Sequence, residues 1–405
     1  MAAGLSVLPK LHPVKGIRLG ACAAGIRYPD RLDLVLIETA ADTKAAAVFT
    51  RNRFCAAPVI VARDHLAASP PRALLINTGY ANAGMGEIGL RDALACCRAV
   101  ANRLGCKDAE VMPFSTGVIG GRLPVDRIVN ALPACVERLG ESEWADAAHG
   151  IMTTDSVAKG ASRQFKLGSE TVTLTGIAKG AGMIRPDMAT MLAFIATDAA
   201  LNPQALQESL RRAVARSFNR ITVDGDTSTN DACILLATGR SAAKVGAVDS
   251  DSFEQFAAVV SQLCTELAQA LVRDAEGATK FITIEVVEGT SEADCLEVAY
   301  AIAHSPLVKT AFFASDPNWG RILAAVGRAG IHALNLSAVS IDLDDVRVIS
   351  DGALAPEYTE ARGQRVMRKP EITVRVALGS GSSSARIWTS DLSHEYVQIN
   401  AEYRS

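Results

Sequence analysis

The chain predicts a mixed α/β fold built in layers, and three observations carry that reading. Segments of helical and strand character are interleaved without the one-to-one rhythm of a doubly wound dinucleotide fold. Of the 405 residues 49% are hydrophobic, enough for a substantial core in a chain long enough for two or three domain-sized units. No apolar stretch reaches the roughly 18 residues that mark a membrane span, so the hydrophobic residues belong to packed layers.

Taken along the chain, short apolar runs bounded by turn residues predict strands at 33–38, 45–50 and 73–77. Helical spacing follows at 88–104, where adjacent Cys96 and Cys97 are expected to face different ways, and at 124–139, where Leu123-Pro124 offers a proline for the first turn. Strands are predicted at 171–176 and 190–197, then a helix at 203–217 that Asn202 caps and Pro203 opens. After a strand at 232–238, residues 252–273 repeat Phe253, Phe256, Val260, Leu263, Leu267 and Leu271 at three- and four-residue steps, so one helix face is buried. A strand at 281–287 precedes a polar Gly/Ser/Thr/Glu stretch near 288–294, which reads as the boundary of a smaller carboxyl-terminal unit. Helices at 291–304 and 319–329 and strands at 339–348, 371–377 and 385–389 complete the pattern, with Gly379-Ser-Gly-Ser-Ser-Ser384 as a turn. No internal repeat is evident.

Charge excludes some functions. The net charge of −3 balances 41 basic against 44 acidic residues with no long run of either sign, which gives a nucleic-acid or anionic-membrane surface no support and makes a small molecule the expected partner. Nine cysteines without C-x-x-C spacing read as reduced core residues of a cytoplasmic protein. The six histidines form no metal-binding grouping, so no metal is expected. The amino terminus lacks the charged and apolar regions of a secretory signal.

The most informative segment is Lys179-Gly-Ala-Gly-Met-Ile-Arg-Pro-Asp-Met-Ala-Thr190, which opens the apolar run 191–196. The Thr190 hydroxyl can attack the preceding carbonyl through a five-membered ring, exchanging the Ala189-Thr190 amide for an ester that water splits. Gly180 and Gly182 allow unusual dihedrals and Pro186 stiffens the approach. Thr190 would then hold a nucleophilic hydroxyl and a free α-amine of pKa about 7.7–8.0 in one residue. An ordinary threonine at the start of a buried strand is the competing reading.

Other segments are weaker alone. Met112-Pro-Phe-Ser-Thr-Gly-Val-Ile-Gly-Gly121 reads as turn-rich, and Thr116-Gly117 could aim N–H groups at an oxyanion or merely reverse the chain. Asn77 and Asn82 are turn formers or ligand-facing amides. Val223-Asp-Gly-Asp-Thr-Ser-Thr-Asn-Asp231 is not an EF-hand, because Thr229 and Leu235 stand where glycine and the acidic ligand belong; a polar site wall and an Asx-rich turn remain. Lys179 and Glu276 read first as surface charges. Asp316-Pro-Asn-Trp-Gly-Arg321 fits a tight turn or an interface.

Together, Ser115-Thr-Gly-Val-Ile-Gly120, Thr153-Thr-Asp155, Lys179-Gly-Ala-Gly-Met-Ile184, Pro186-Asp-Met-Ala-Thr190, Asp224-Gly-Asp-Thr-Ser-Thr-Asn230, Asp316-Pro-Asn-Trp-Gly-Arg321 and Asn400-Ala-Glu-Tyr403 resemble, in order across nearly the whole chain, the ornithine acetyltransferase family of arginine biosynthesis. The resemblance implies a layered αββα-like sandwich and self-cleavage into an α chain, 1–189, and a β chain, 190–405. About 190–287 would complete the first domain with the α chain, and about 290–405 would form a smaller domain. It implies transfer of acetyl from N-acetylornithine to glutamate through acetyl-Thr190, with no cofactor; some members also accept acetyl-CoA. By motif position Thr190 is the nucleophile, Thr116 and Gly117 stabilise the oxyanion, and Thr153, Lys179, Thr190, Glu276, Asn400 and Ser405 bind substrate, with Thr154 a one-residue alternative to Thr153. An α2β2 assembly in the cytoplasm is implied as well. One departure is visible: Tyr80 in Asn77-Thr-Gly-Tyr-Ala-Asn82 stands where the family's usual motif has an amide.

Overall fold

The computed structural model describes residues 4–5, 7–185, 191–331 and 334–402, in two compact units. The larger comprises 7–219 and 226–271 among its described residues. It opens with three strands, β1 (Ile17–Cys22), β2 (Leu34–Thr39) and β3 (Lys44–Phe49), then α1 (Ala57–Ala68), β4 (Ala73–Tyr80), α2 (Gly86–Leu104) and β5 (Val111–Val118). Helices α3 (Val125–Glu137) and α4 (Trp144–Gly150) lead to β6 (Lys159–Leu167), β7 (Glu170–Lys179) and β8 (Leu192–Thr197), followed by α5 (Pro203–Arg216), β9 (Ala232–Ala237) and α6 (Asp251–Arg273).

These strands form two sheets, β1-β2-β4-β5 and β3-β9-β8-β7-β6, with β4–β5 and β8–β9 the parallel pairs. Their facing sides share one core: Val35, Ile76 and Phe114 of the first sheet cluster with Ile177, Phe194 and Ile234 of the second. Phe114 meets Phe194 edge-on with ring centroids 5.1 Å apart, the geometry the ring quadrupole favours. The outer face of the first sheet, through Leu34, Leu36 and Leu75, packs on α2 and α3. On the second sheet, Ile195 of β8 and Leu263 and Leu267 of α6 converge over Gly176 of β7. Helix, sheet, sheet, helix is therefore the order of layers, as expected.

Local rules account for the regular elements. Asn202 caps α5 through its side chain, accepting from Ala205 N at 2.8 Å, with Pro203 at the first helical position. All six apolar residues picked out in α6 are buried. Pro124 is the cap of α3 and not its first residue. Cys96 and Cys97 of α2 are both buried, as core residues, because the helix is wedged between the sheet and α3. Met112–Val118 is strand, not turn: it pairs along its length with β4, since Val111, Met112 and Phe114 need the core.

The second unit takes its described residues from 4–5, 220–225 and 272–402. It contains β10 (Phe281–Gly289), α7 (Glu292–Ala303), α8 (Pro306–Phe313), α9 (Trp319–Gly327), β11 (Ser340–Leu343), β12 (Val346–Ser350), β13 (Ala353–Leu354), α10 (Glu360–Met367), β14 (Glu371–Ala377), β15 (Ser383–Ser390) and α11 (His394–Glu402). Its sheet runs β13-β12-β11-β14-β10-β15, with β10 and β14 parallel. The expected break near 288–294 is instead a strand-to-helix connection inside this unit, where Ser291 caps α7 by accepting from Asp294 N at 3.1 Å. The single strand expected at 339–348 is a hairpin, turned at Asp344 with φ +48°. The Asp316–Arg321 motif is a helix start: Asn318 accepts from Arg321 N at 3.2 Å and donates to Asp316 at 3.0 Å.

Candidate active site

The site begins where β4 and β5 end side by side. Their parallel register sets Asn77 beside Ser115, Thr78 beside Thr116 and Gly79 beside Gly117. Gly117 has φ +132°, and a Cβ there would lie 2.3 Å from Gly79 C and 2.7 Å from Tyr80 N, so only glycine lets the two backbones approach. Asn77 ties the strand ends, donating to Tyr80 O at 3.0 Å and accepting from the Ser115 hydroxyl at 2.6 Å. It is a structural amide, as is Asn82, which sits at φ +51° and donates to Gly89 O at 2.9 Å. The Tyr80 ring lies over Gly121, where a Cβ would come within 2.6 Å of it.

Lys179 ends β7 in the other sheet and is 2% exposed, so it is no surface charge. Its Nζ donates to Thr116 Oγ1 at 2.9 Å, joining the two sheets. An ammonium can only donate, so Thr116 Oγ1 accepts here and keeps its own hydrogen to offer a third partner. Behind this pair sits Asp155, buried, which receives Lys159 Nζ at 2.6 Å and Gly180 N at 2.7 Å on Oδ1 and Thr153 N at 2.9 Å on Oδ2. Burial opposes its charge, yet Lys159 and Lys179 outweigh burial and hold the carboxyl well below the usual range. Thr153 thus enters the cluster through its backbone, which is also anchored at its carbonyl by Arg31 at 3.2 Å.

A second buried carboxylate stands at the start of β9. Asp231 Oδ1 accepts Met191 N–H at 2.9 Å, and burial pushes this carboxyl well above its ordinary range against the opposing pull of that hydrogen bond, of Lys179 and of the Ser228 hydroxyl. Beside it Asn230 donates to Ala81 O at 2.7 Å and Ser115 O at 2.9 Å, linking its loop to the ends of the opposite sheet. Asn230 and Asp231, at the end of the 223–231 stretch, are thus buried polar residues that tie it to its neighbours. Of the glycines ahead of the expected cleavage point, Gly180 has φ +146°, while the second left-handed residue is Met183, at φ +55°.

In the second unit, Glu276 Oε2 accepts Asn400 Nδ2 at 2.7 Å, and the same amide reaches Tyr396 O at 2.9 Å. Gly277, φ +66°, lets α11 settle on this turn: a Cβ would fall 2.6 Å from Tyr396 N. Tyr396 donates to Asp224 at 3.2 Å. Nearby Lys309 is buried, donating to Thr389 Oγ1 at 3.0 Å and to Ser390 O. Burial draws its pKa down to about 8 despite Asp391 and Asp224.

The structure thus gathers Thr116, Gly117, Thr153 and Lys179 in one unit and Glu276 with Asn400 in the other. Ala189, Thr190 and Ser405 lie outside the described residues. Sequence reasoning gave no role to Asp155, Lys159, Ser115 or Asp231; Asp155 and Ser115 stood inside motifs already singled out, and their burial was the missing signal. Among the described residues no group of three or more His, Cys, Asp or Glu could hold a metal ion. No helix among them is long and apolar enough to cross a membrane.

The ArgJ family model matches residues 18–405. An arginine biosynthesis bifunctional protein ArgJ from Methylococcus capsulatus is 59% identical over 396 residues, covering 98% of this chain and 97% of its own length. Proteins of the same name from Pseudomonas fluorescens and Pseudomonas syringae pv. tomato are 53% and 54% identical over 406 residues, with complete coverage on both sides. Identity at this level over full length leaves no segment to a different ancestry, and the chain belongs to the ArgJ family.

Proposed function

We propose that the protein is a self-processing glutamate N-acetyltransferase of arginine biosynthesis. It is cut between Ala189 and Thr190 and moves acetyl from N-acetylornithine to glutamate through an ester on Thr190. The observation that carries this reading is the Lys179–Thr116 hydrogen bond, 2.9 Å long, which leaves a buried hydroxyl proton ready for an oxyanion beside the entry to β8. Thr116 and the neighbouring Gly117 N–H are the oxyanion donors in this scheme, and a pre-aimed donor of that kind lowers an acyl-transfer barrier by about 3–4 kcal/mol.

Thr190 Oγ attacks the acetyl carbonyl of the donor, its proton passing to its own α-amine, and the collapse of the tetrahedral adduct releases ornithine. Glutamate then enters, and its amine takes the acetyl group in the reverse sequence. Both substrates are α-amino acids, so one set of groups can serve both. Lys179 and Thr153 or Thr154 have the chemistry to hold the shared α-carboxylate, and Glu276, held by Asn400, to meet a cationic amine; with Thr190 and Ser405 these are the substrate-binding positions that the family resemblance implies. No cofactor takes part in this scheme. The relatives' designation as bifunctional supports acetyl-CoA as a second acetyl donor. The α chain 1–189 and β chain 190–405 form an α2β2 assembly in the cytoplasm in this proposal, a state native mass spectrometry reads directly.

Incubation with N-acetylornithine, with and without glutamate, tests the transfer. N-acetylglutamate should appear only with glutamate present; acetate released without N-acetylglutamate would make the protein a hydrolase. Formation of N-acetylglutamate from acetyl-CoA in the absence of N-acetylornithine tests the second donor. Thr190→Ala should leave a single chain and no transfer.

A further inference from the structure

Asp231 uses its two oxygens unequally. Oδ1 holds Met191 N–H at 2.9 Å, while Oδ2, in a residue 1% exposed, receives no well-formed hydrogen bond from the described residues, the Ser228 hydroxyl being the side-chain donor that acts on this carboxyl. Folded chains rarely leave a buried carboxyl oxygen without a donor, because desolvation is then uncompensated. A local fold requirement does not explain it: the Met191 contact and the Asp231 backbone, whose carbonyl accepts Thr50 N at 3.0 Å, already secure the start of β9. Covalent geometry limits what this oxygen can serve. Met191 N is linked to Thr190 N through only two intervening atoms, which keeps the two nitrogens about 2.7–3.7 Å apart at any dihedral.

We propose that Asp231 is the acid–base residue of the cleavage step: Oδ1 fixes the amide of Met191, and Oδ2 exchanges a proton with the nitrogen of Thr190. The inference rests on the self-cleavage reading above and assigns the step a proton carrier. The proton balance is closed. Thr190 Oγ bonds to the Ala189 carbonyl carbon and the carbon–nitrogen bond breaks. The departing nitrogen takes the Asp231 proton and leaves as an amine, and the carboxylate recovers a proton from the attacking hydroxyl. Water then hydrolyses the ester, giving the Ala189 carboxylate and the free Thr190 hydroxyl. Burial, which favours the protonated form of the Asp231 carboxyl, makes a proton easier to hold there for this step. The charged and titratable groups that act on it among the described residues are Lys179, from β7, and Cys55, ahead of α1.

Asp231→Asn tests the role, because the amide keeps an oxygen for Met191 N–H at nearly the same size but has no carboxyl proton to exchange. Expected are an accumulating uncut chain, cleavage slowed about 100-fold or more, and a melting temperature matching that of the Thr190→Ala precursor. The residual cleavage should also lack the decline at rising pH expected of a slowly cut Thr190→Ser precursor, in which Asp231 is intact. Cleavage of Asp231→Asn at the wild-type rate overturns the role. So does an uncut variant that melts well below the Thr190→Ala precursor, or one whose pH profile parallels that of Thr190→Ser. A wild-type chain that stays whole overturns the cleavage reading itself.

Discussion

Gly117→Ala puts the β4–β5 contact to a quantitative test. A Cβ at 117 would stand 2.3 Å from Gly79 C, 2.5 Å from Gly79 O and 2.7 Å from Tyr80 N, all backbone atoms with no rotamer to yield. Relieving this contact requires the strand ends to part by about 1 Å at a spacing normally held near 4.8 Å. Left-handed strain at φ +132° adds to the cost, and together they amount to about 2–4 kcal/mol. The same displacement carries Thr116 away from Lys179, and a 1 Å misplacement of a reacting group lowers a rate about 100-fold. Gly120→Ala is the control: its φ of +77° is also left-handed, but nothing lies within 4 Å of the added carbon. Denaturant melts and the N-acetylornithine-to-glutamate assay should show Gly117→Ala losing both stability and about two orders of magnitude in kcat, and Gly120→Ala losing about 1 kcal/mol with little change in rate. Equal behaviour of the two variants, or a Gly117→Ala enzyme with normal kcat, would refute the close-approach argument.

Lys179→Met removes the donor to Thr116 while leaving Lys159 on Asp155, so transfer should drop about 100- to 1,000-fold in a chain that still folds; a rate within threefold of wild type on steady-state assay would contradict the assignment. Asn230→Ala strips the donors from two carbonyls, Ala81 O and Ser115 O, for an expected loss of about 2–4 kcal/mol in denaturant melts. Asn230→Asp should not restore it, because a carboxylate cannot donate. Lys309 fixes a pH dependence: its folded pKa of about 8 lies below the unfolded value near 10.4, so the unfolded state binds more protons between them. The penalty, about 3 kcal/mol, is full below pH 8 and fades as pH rises toward 10.4. Wild-type stability should therefore rise on this term between pH 8 and 10, and Lys309→Met should lack that rise; parallel stability curves for the two from pH 7 to 10 would refute it.

What the sequence makes legible follows from where periodicity dominates. Helices α2, α5, α6 and α7 show an apolar face or a capping residue, and each appears near its expected place. Helix α1 carries apolar residues all round and α4 is only seven residues long, so neither shows a period. Strand β6 alternates polar residues along a sheet edge and offers no apolar run. Strand β5 looks like a turn because Pro113, Ser115, Thr116 and Gly117 have turn chemistry; tertiary pairing with β4 overrides it. The same limit applies at the site. Thr116 and Lys179 are 63 positions apart and nothing local pairs them; their motifs single them out only by resemblance. Asp155 and Asp231 look like ordinary polar loop residues until burial distinguishes them; burial pushes both carboxyls up, and two lysines outweigh it at Asp155 while Lys179 does not at Asp231.

That contrast leaves the cluster with two unequal hosts for negative charge. Among its described members, Lys159 and Lys179 act on the Asp155 carboxylate, while burial disfavours the charged form of Asp231. Negative charge is thus harder to keep at one carboxyl than at the other, in a place where salt screens weakly. An arriving α-carboxylate, or the oxyanion of a tetrahedral adduct, would bring negative charge to the lysine side of the cluster. A bound amino acid should therefore stiffen this end of the sandwich as a counterion does.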